Sequence, residues 1–358
     1  MLQAEVEAEA ERALVYDAAA ALTTAVWRQM MTEPGDWAYA APAIGRVVQS
    51  AQVEVAKTAV RHVETIRVQS GAPRPSIPAP RRPVGVVRSP TRPSVSLDAP
   101  RVTRARPIPT PQSPAAQAQT RPVPVQELRI APTRVEIPVI VPEGFAQATP
   151  SGAQIEATMG TAVTEMRAAL DAGADMDEAL DRGESWARVI ARSVLQDTYR
   201  DVAAVDVTCT EDAQWVYAPH MPCCKRCAAL AGRVYAWDTE FVRHPGCDCQ
   251  RRKFVGDPPG DVLSAADLVD RGLVTGLTRG ESEALAEGAD VNRVLNATRP
   301  RPRVQAAVRD RNRAARAEYE HQVAGGDRRS VLTPTVIHRH ARSREEAVWL
   351  LRANGYIH

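Results

Sequence analysis

Five of the chain's six cysteines fall between positions 223 and 249, in two clusters. The first is Cys223-Cys224-x-x-Cys227 and the second is His244-Pro245-x-Cys247-x-Cys249. Thiolate sulfur and imidazole nitrogen are soft donors. Four of them around one point suit tetrahedral zinc, with Zn–S of about 2.3 Å and Zn–N of about 2.0 Å. The spacing predicts a zinc site built from Cys224, Cys227, Cys247 and Cys249, with His244 as the candidate to replace one of the last two. Cys223 reads as a spare neighbour, although Cys223-x-x-x-Cys227 is a second frame. The alternative is a knuckle held by packing, hydrogen bonds or a disulfide, without metal. Four protein ligands leave no position for water, so the predicted ion is structural rather than catalytic.

Two clusters can serve one ion only if the chain between and around them folds them together. Gly232 can make a tight turn, and Val234, Tyr235 and Trp237 are strand formers, so a hairpin is expected between the knuckles. Upstream, residues 153–172 read as one helix with Gly160 as a weak point. Asp175 and Glu178 have capping-box spacing for the next helix. That helix reaches about Val202, with Trp186, Val189, Ile190 and Val194 at helical spacing, and the pair of helices is expected to pack on the cysteine module. Glu184, Arg188, Asp197 and Arg200 on it read as a solvated face.

A helical stretch from Leu195 to Arg200, then Cys224, Cys227, Leu230, Gly232 and Tyr235, then His244, Pro245, Cys247, Cys249 and Arg251 resembles the MuF-like minor head proteins of tailed bacteriophages, also called head morphogenesis proteins. The resemblance covers about residues 155–255. Asp248 stands where that family usually carries a basic residue, and Cys223 is extra. The resemblance implies a structural minor capsid component of the phage head. Its expected partners are the portal protein and the major capsid or scaffold protein. Its expected place is the virion, and the host cytoplasm during assembly. Some members are fused to toxins or enzymes.

The flanking segments have other characters. Residues 1–33 read as a helix with Leu14, Ala18, Ala21, Leu22, Ala25, Val26 and Met30 on its stripe, stopped at Pro34-Gly35. A second helix over 44–66 carries Ile44, Val47, Val48, Ala51, Val55, Ala59 and Val63, with His62 at its surface or boundary. A hairpin of Ala and Val buries little area, so it is expected to lean on a partner or on its own copies. Residues 71–150 hold 18 of the 28 prolines and eleven arginines against Asp98, Glu127, Glu136 and Glu143, a net of +7. Proline fixes φ and removes donors, so this segment is expected to be disordered or extended. It serves as a linker or as a basic tether to packaged DNA. Its one apolar run, 136–141, suggests an edge strand or a docking peptide. Downstream, Ser264/Asp267 and Thr278/Glu281 have capping-box spacing. Pro300-Arg-Pro302 breaks the chain before a charged helix over 304–322. Ser343/Glu346 caps a last helix that buries Ala347, Leu350 and Leu351 and ends at Asn354-Gly355. The closing 355–357 could tuck into a neighbour. His338 and His340 would share one side of a strand, as surface or interface residues.

The pattern therefore predicts a mainly α chain with a small α+β Cys-rich knuckle module. An N-terminal helical hairpin spans 1–70, a Pro/Arg-rich linker 71–150, the MuF-like domain 151–258 and a helical C-terminal tail 259–358. The 358 residues carry a net charge of +2, which argues against a general nucleic-acid binder. Nearly all basic residues are Arg, with lysine only at 57, 225 and 253. No run reaches the ~18 consecutive apolar residues of a membrane span, and MLQAEVEAEAERAL lacks the features of a secretory signal. Clustered cysteines without such a signal fit a reducing compartment. No G-x-S-x-G, H-E-x-x-H or P-loop pattern is present. Two alternatives to the structural reading remain. One is a capsid maturation protease or protease fusion, with Ser193 or Ser264 as nucleophile. The other is a zinc-knuckle nucleic-acid-binding packaging protein.

Overall fold

Two long helices open the chain: α1, Gln3–Met30, and α2, Trp37–Ser70, joined through a 3-10 turn at Pro34–Asp36. The computed structural model describes residues 3–70, 77–78, 135–136, 138–244, 246–297 and 306–358. These are mainly helical, with a small sheet region. The turn between α1 and α2 is fixed locally, because the Asp36 carboxylate accepts from the amide and hydroxyl of Thr32 and the amide of Glu33. α2 buries the face its sequence predicts, through Ile44, Val48, Ala51, Val55 and Ala59. α1 does not. Leu14, Ala18, Ala21, Leu22 and Ala25 face solvent, and the buried stripe is Ala8, Arg12, Tyr16, Ala19, Thr23 and Trp27. Tyr16 and Trp27 decide the phase, since aromatic bodies bury far more area than the alanines opposite.

The stretch predicted as one helix over 153–172 is broken at Gly160 into α3, Ile155–Met159, and α4, Thr161–Asp171. α5 then runs 33 residues, Met176–Thr208, well past its predicted end. Asp175 caps it, its carboxylate accepting the Glu178 amide at 2.8 Å. α5 is the post to which the rest is tied, with α1, α2 and α4 packed along it. The hairpin packs on α5 of its own chain. Gly183 makes the closest approach possible, because a Cβ there would collide with the Trp27 ring. Trp186 and Val189, expected to pack inward, are exposed instead.

Most of the predicted linker lies outside the described residues, as do Pro245 and Pro300–Pro302. Its described parts are β1, Ile77–Pro78, paired antiparallel with β2, Val135–Glu136, and a strap over 138–150. The strap is packed rather than extended in solvent. Phe145 and Thr149 are buried, and Gln52 of α2 donates at 3.1 Å to the carbonyls of Phe145 and Ala148 and to the Thr198 hydroxyl. Val139 and Val141 hydrogen-bond with His358 and Tyr356, and Ile140 bridges Ile357. The predicted docking run and the C-terminal residues therefore pair with each other.

The C-terminal segments serve two cores. α7, Ala265–Asp270, α8, Arg279–Ala286, and α9, Val291–Ala297, sit on the cysteine module, where Ala265, Leu268 and Leu295 are buried with the thiols. Both predicted capping boxes form. Beyond the described gap lie α10, Ala306–Val323, α11, Pro334–His340, and α12, Arg344–Ala353. They share a core with Tyr16, Val55, Tyr199, Phe145 and Ile357. Ala347, Leu350 and Leu351 are buried as expected. His338 and His340 lie on a helix, not a strand. His338 is buried, with its Nε2 2.8 Å from the Thr208 hydroxyl and its ring edge-on to Trp237.

Candidate metal centre

A three-stranded antiparallel sheet carries the module, in the order β5 (Val234–Tyr235), β3 (Gln214–Ala218), β6 (Gln250–Phe254). Alternate residues of β3 present Trp215 and Tyr217 to one face, where both rings pack on Phe241 at 5.6 and 4.7 Å. The first knuckle follows β3. Cys223–Cys224 form β4, paired in parallel with β7, Val274–Thr275, and α6, Lys225–Ala228, starts immediately after. Gly232, at φ +70°, turns the chain back so that its amide donates to the Tyr217 carbonyl at 3.0 Å. The predicted hairpin between the knuckles is different in form. Val234 and Tyr235 pair with β3 rather than with each other's flank, and Trp237 lies outside the strand. The second knuckle is an irregular run that ends in β6.

This folding brings five donors together. Cys224 Sγ lies 3.0 Å from His244 Nε2, which is 3.5 Å from Cys227 Sγ. Cys227 Sγ lies 3.4 Å from Cys247 Sγ. The donor atoms of Cys224, Cys227 and His244 lie within 4.8 Å of one another, as do those of Cys227, Cys247 and Cys249. Two thiolates on one zinc would stand about 3.8 Å apart, and the 3.4 Å between Cys227 and Cys247 is close to that. Cys227, Cys247 and Cys249 are buried, while Cys224 and His244 are half-buried. The Cys/His groups can hold a metal ion. Cys223 belongs to neither group, and burial pushes its thiol up to about 11.

The electrostatics favour anions at this point. Hydrogen bonding from Cys227 is the main cause that brings the Cys224 thiol down to about 5, with the amides of Cys227 and Arg226 and the nearby His244 adding to it against burial. A hydrogen bond with Cys227 holds Cys247 far below the usual thiol range, helped by Cys249 and Arg200. Cys227 itself is raised, first by its bond to Cys224 and then by those to Cys247 and Cys249. Three sulfurs thus compete for the proton of one thiol, and a cation in its place would satisfy all of them.

α5 grips the second knuckle. Arg200 is buried, with its Nε donating to the Cys249 carbonyl at 2.7 Å, its Nη2 to the Cys247 carbonyl and its Nη1 to Asp197 at 2.9 Å. Asp197 also takes both prongs of Arg243. One turn back, Gln196 and Arg192 hold Asp248, and the Ser193 hydroxyl accepts the Gly246 amide at 3.1 Å. The residues predicted to form a solvated face are therefore split. Arg188 is exposed, Glu184 is buried against Arg28, and Asp197 and Arg200 position the candidate ligands. Their i, i+3 and i+4 spacing was visible in the sequence, but it does not say what the face meets. Lys225, beside Cys224, pairs with Glu281 of α8 at 2.9 Å and ties the first knuckle to the tail.

No family model, curated protein or solved structure matches the chain. Of the two serines named as nucleophile candidates, Ser193 accepts from Gly246 and Ser264 caps α7 through Asp267. Neither hydrogen-bonds a histidine among the described residues. No described helix is long and apolar enough to cross a membrane.

Proposed function

We propose that this protein is a structural component of a phage head, a minor capsid protein of the MuF-like kind, whose Cys/His module is stabilised by one zinc ion. The observation that carries the reading is the convergence of Cys224, Cys227, His244, Cys247 and Cys249, the residues on which the resemblance rests, onto one shared sulfur, Cys227. Cys224, Cys227 and Cys247 would ligate, with His244 or Cys249 completing the tetrahedron. The ion's role is to fasten the two knuckles to each other, so its binding energy is folding energy. A closed ligand set supports scaffolding rather than catalysis. The portal protein and the major capsid or scaffold protein are the proposed partners. The Arg-rich residues 71–150 are the proposed contact with packaged DNA.

Two measurements test this. Elemental analysis of protein purified without chelator should find about one zinc per chain, and zinc-edge absorption should show four S/N neighbours, with sulfur near ~2.3 Å. Absence of zinc would overturn the metal assignment. Mass spectrometry of purified virions should find the intact chain at low copy, and its absence from virions would overturn the head assignment.

A further inference from the structure

A cleft of about 310 Å³ opens between α1, α2, α5 and β6. Most charges on its wall are compensated. Lys253 pairs with Asp206 at 2.5 Å, Arg252 with Asp261 at 2.8 Å, and His220 with Glu9. Arg251, whose Nε and Nη1 are buried without a hydrogen bond, is one exception, and Arg12 is another. It is only 5 % exposed, its guanidinium lies 4.5 Å from the centre of the Tyr199 ring, and it has no carboxylate or hydrogen-bond acceptor among the described residues. A buried guanidinium with no counter-charge is costly to retain, and an anion would relieve that cost.

A second unused donor lies beside it. His62 Nδ1 is bonded to the Tyr199 hydroxyl, and its Nε2 is buried with no partner. Burial first, and Arg12 second, hold the imidazole down to about 4, so the ring is neutral. When the Tyr199 hydroxyl donates to Nδ1, the ring proton sits on Nε2 and has no acceptor; in the other tautomer Nε2 is an acceptor without a donor. The rest of the wall includes Val63, Ile66, Met221 and Leu263. The volume falls within the range of small-molecule sites, which pair an apolar lining with a few fixed polar groups.

We propose that this cleft binds a carboxylate carried on a small apolar body, with Arg12 as the two-pronged donor and His62 Nε2–H as the third. The planar fork of arginine matches the planar carboxylate. The inference depends neither on the metal nor on the head-protein reading. The ligand is either a free organic acid or the terminal carboxylate of a peptide, and the two sources are separable.

The test uses the full chain and isothermal titration with hexanoate, benzoate, hexanol, inorganic phosphate, and an acetylated Gly-Leu dipeptide as free acid and as amide. Hexanoate or benzoate should bind saturably while hexanol does not. Tighter binding of the dipeptide acid than of hexanoate assigns the site to a peptide end, and the reverse order assigns it to a free acid. R12Q should weaken the acid by about tenfold to a hundredfold, the worth of a charge-assisted hydrogen bond, and Arg12→Lys should recover only part of it. His62→Phe should weaken it several-fold and serves as the variant of record if R12Q does not fold by circular dichroism. Equal binding of acid and alcohol, tighter binding of phosphate than of any carboxylate, or unchanged affinity in the folded variants would overturn the proposal.

Discussion

Replacing Arg200 with methionine isolates the contribution of α5 to the metal centre. Methionine keeps much of the apolar stem, so the buried volume is nearly conserved while every polar contact is lost. Arg200 donates to the carbonyls of Cys249 and Cys247, to Asp197, and lies 5.2 Å above the Phe241 ring. Two buried carbonyls would lose their donors, at about 1–3 kcal/mol each. Asp197 would keep Arg243, so its loss is smaller. The sum for Arg200→Met is a destabilisation of about 3–5 kcal/mol, the range found on breaking buried charged pairs. Because those carbonyls belong to two candidate ligands, metal affinity should fall by about 10–100-fold, as for other groups that orient ligands without touching the ion. Urea denaturation of the zinc-loaded protein gives the first number. Competition against a chromogenic chelator gives the second. Arg200→Lys should lie between, since an ammonium can satisfy only part of the fork's geometry. A variant within 0.5 kcal/mol of wild type and with unchanged zinc affinity, within about the error of surface substitutions, would refute the view that α5 positions the second knuckle.

Three further outcomes are expected. Gly183→Ala should destabilise the fold by about 1–3 kcal/mol by overpacking against Trp27, and thermal melts of the variant would show it. Ile357→Ala should cost about 2–5 kcal/mol although the residue is next to last, because it is fully buried beside Ile140; denaturation curves matching wild type would contradict the pairing of strap and tail. Burial pushes the Asp201 carboxyl up to about 7, against Thr335 and the Arg251 and Arg200 charges, which lower it. The folded state then keeps a proton that the unfolded chain releases near pH ~4. This residue's contribution is therefore greatest at low pH and is lost as pH rises through ~7. Asp201→Asn should gain stability relative to wild type across that window, and a pH-independent difference would count against it.

The clustering of thiols and imidazole was legible because cysteine and histidine have few other reasons to recur at such intervals, and the capping boxes because a side chain satisfying its own helix end is a local event. What the sequence hid was mostly phase and partner. α1 has alanines on both sides, so its helical period alone could not choose between the Leu14–Leu22 face and the Tyr16–Trp27 face; only the second has something to fill. His338 and Arg200 are polar types on amphipathic helices, and a polar residue is read as exposed unless the group that satisfies it is known. For Arg200 that group is a pair of carbonyls 47 and 49 positions away, and for His338 it is a hydroxyl 130 positions away. The strap over 138–150 was masked by its prolines, which forbid regular structure without forbidding burial.

The two largest cores differ in how much chain they need. The cysteine core draws only on residues between Val207 and Leu295, whereas the one around Tyr199 joins Tyr16 to Ile357. Contacts that close long loops are slow to form. During synthesis, every sulfur donor is available to capture an ion well before the last helices leave the ribosome. The proposed ion would then be in place first, giving the late-arriving helices a rigid wall on which to dock.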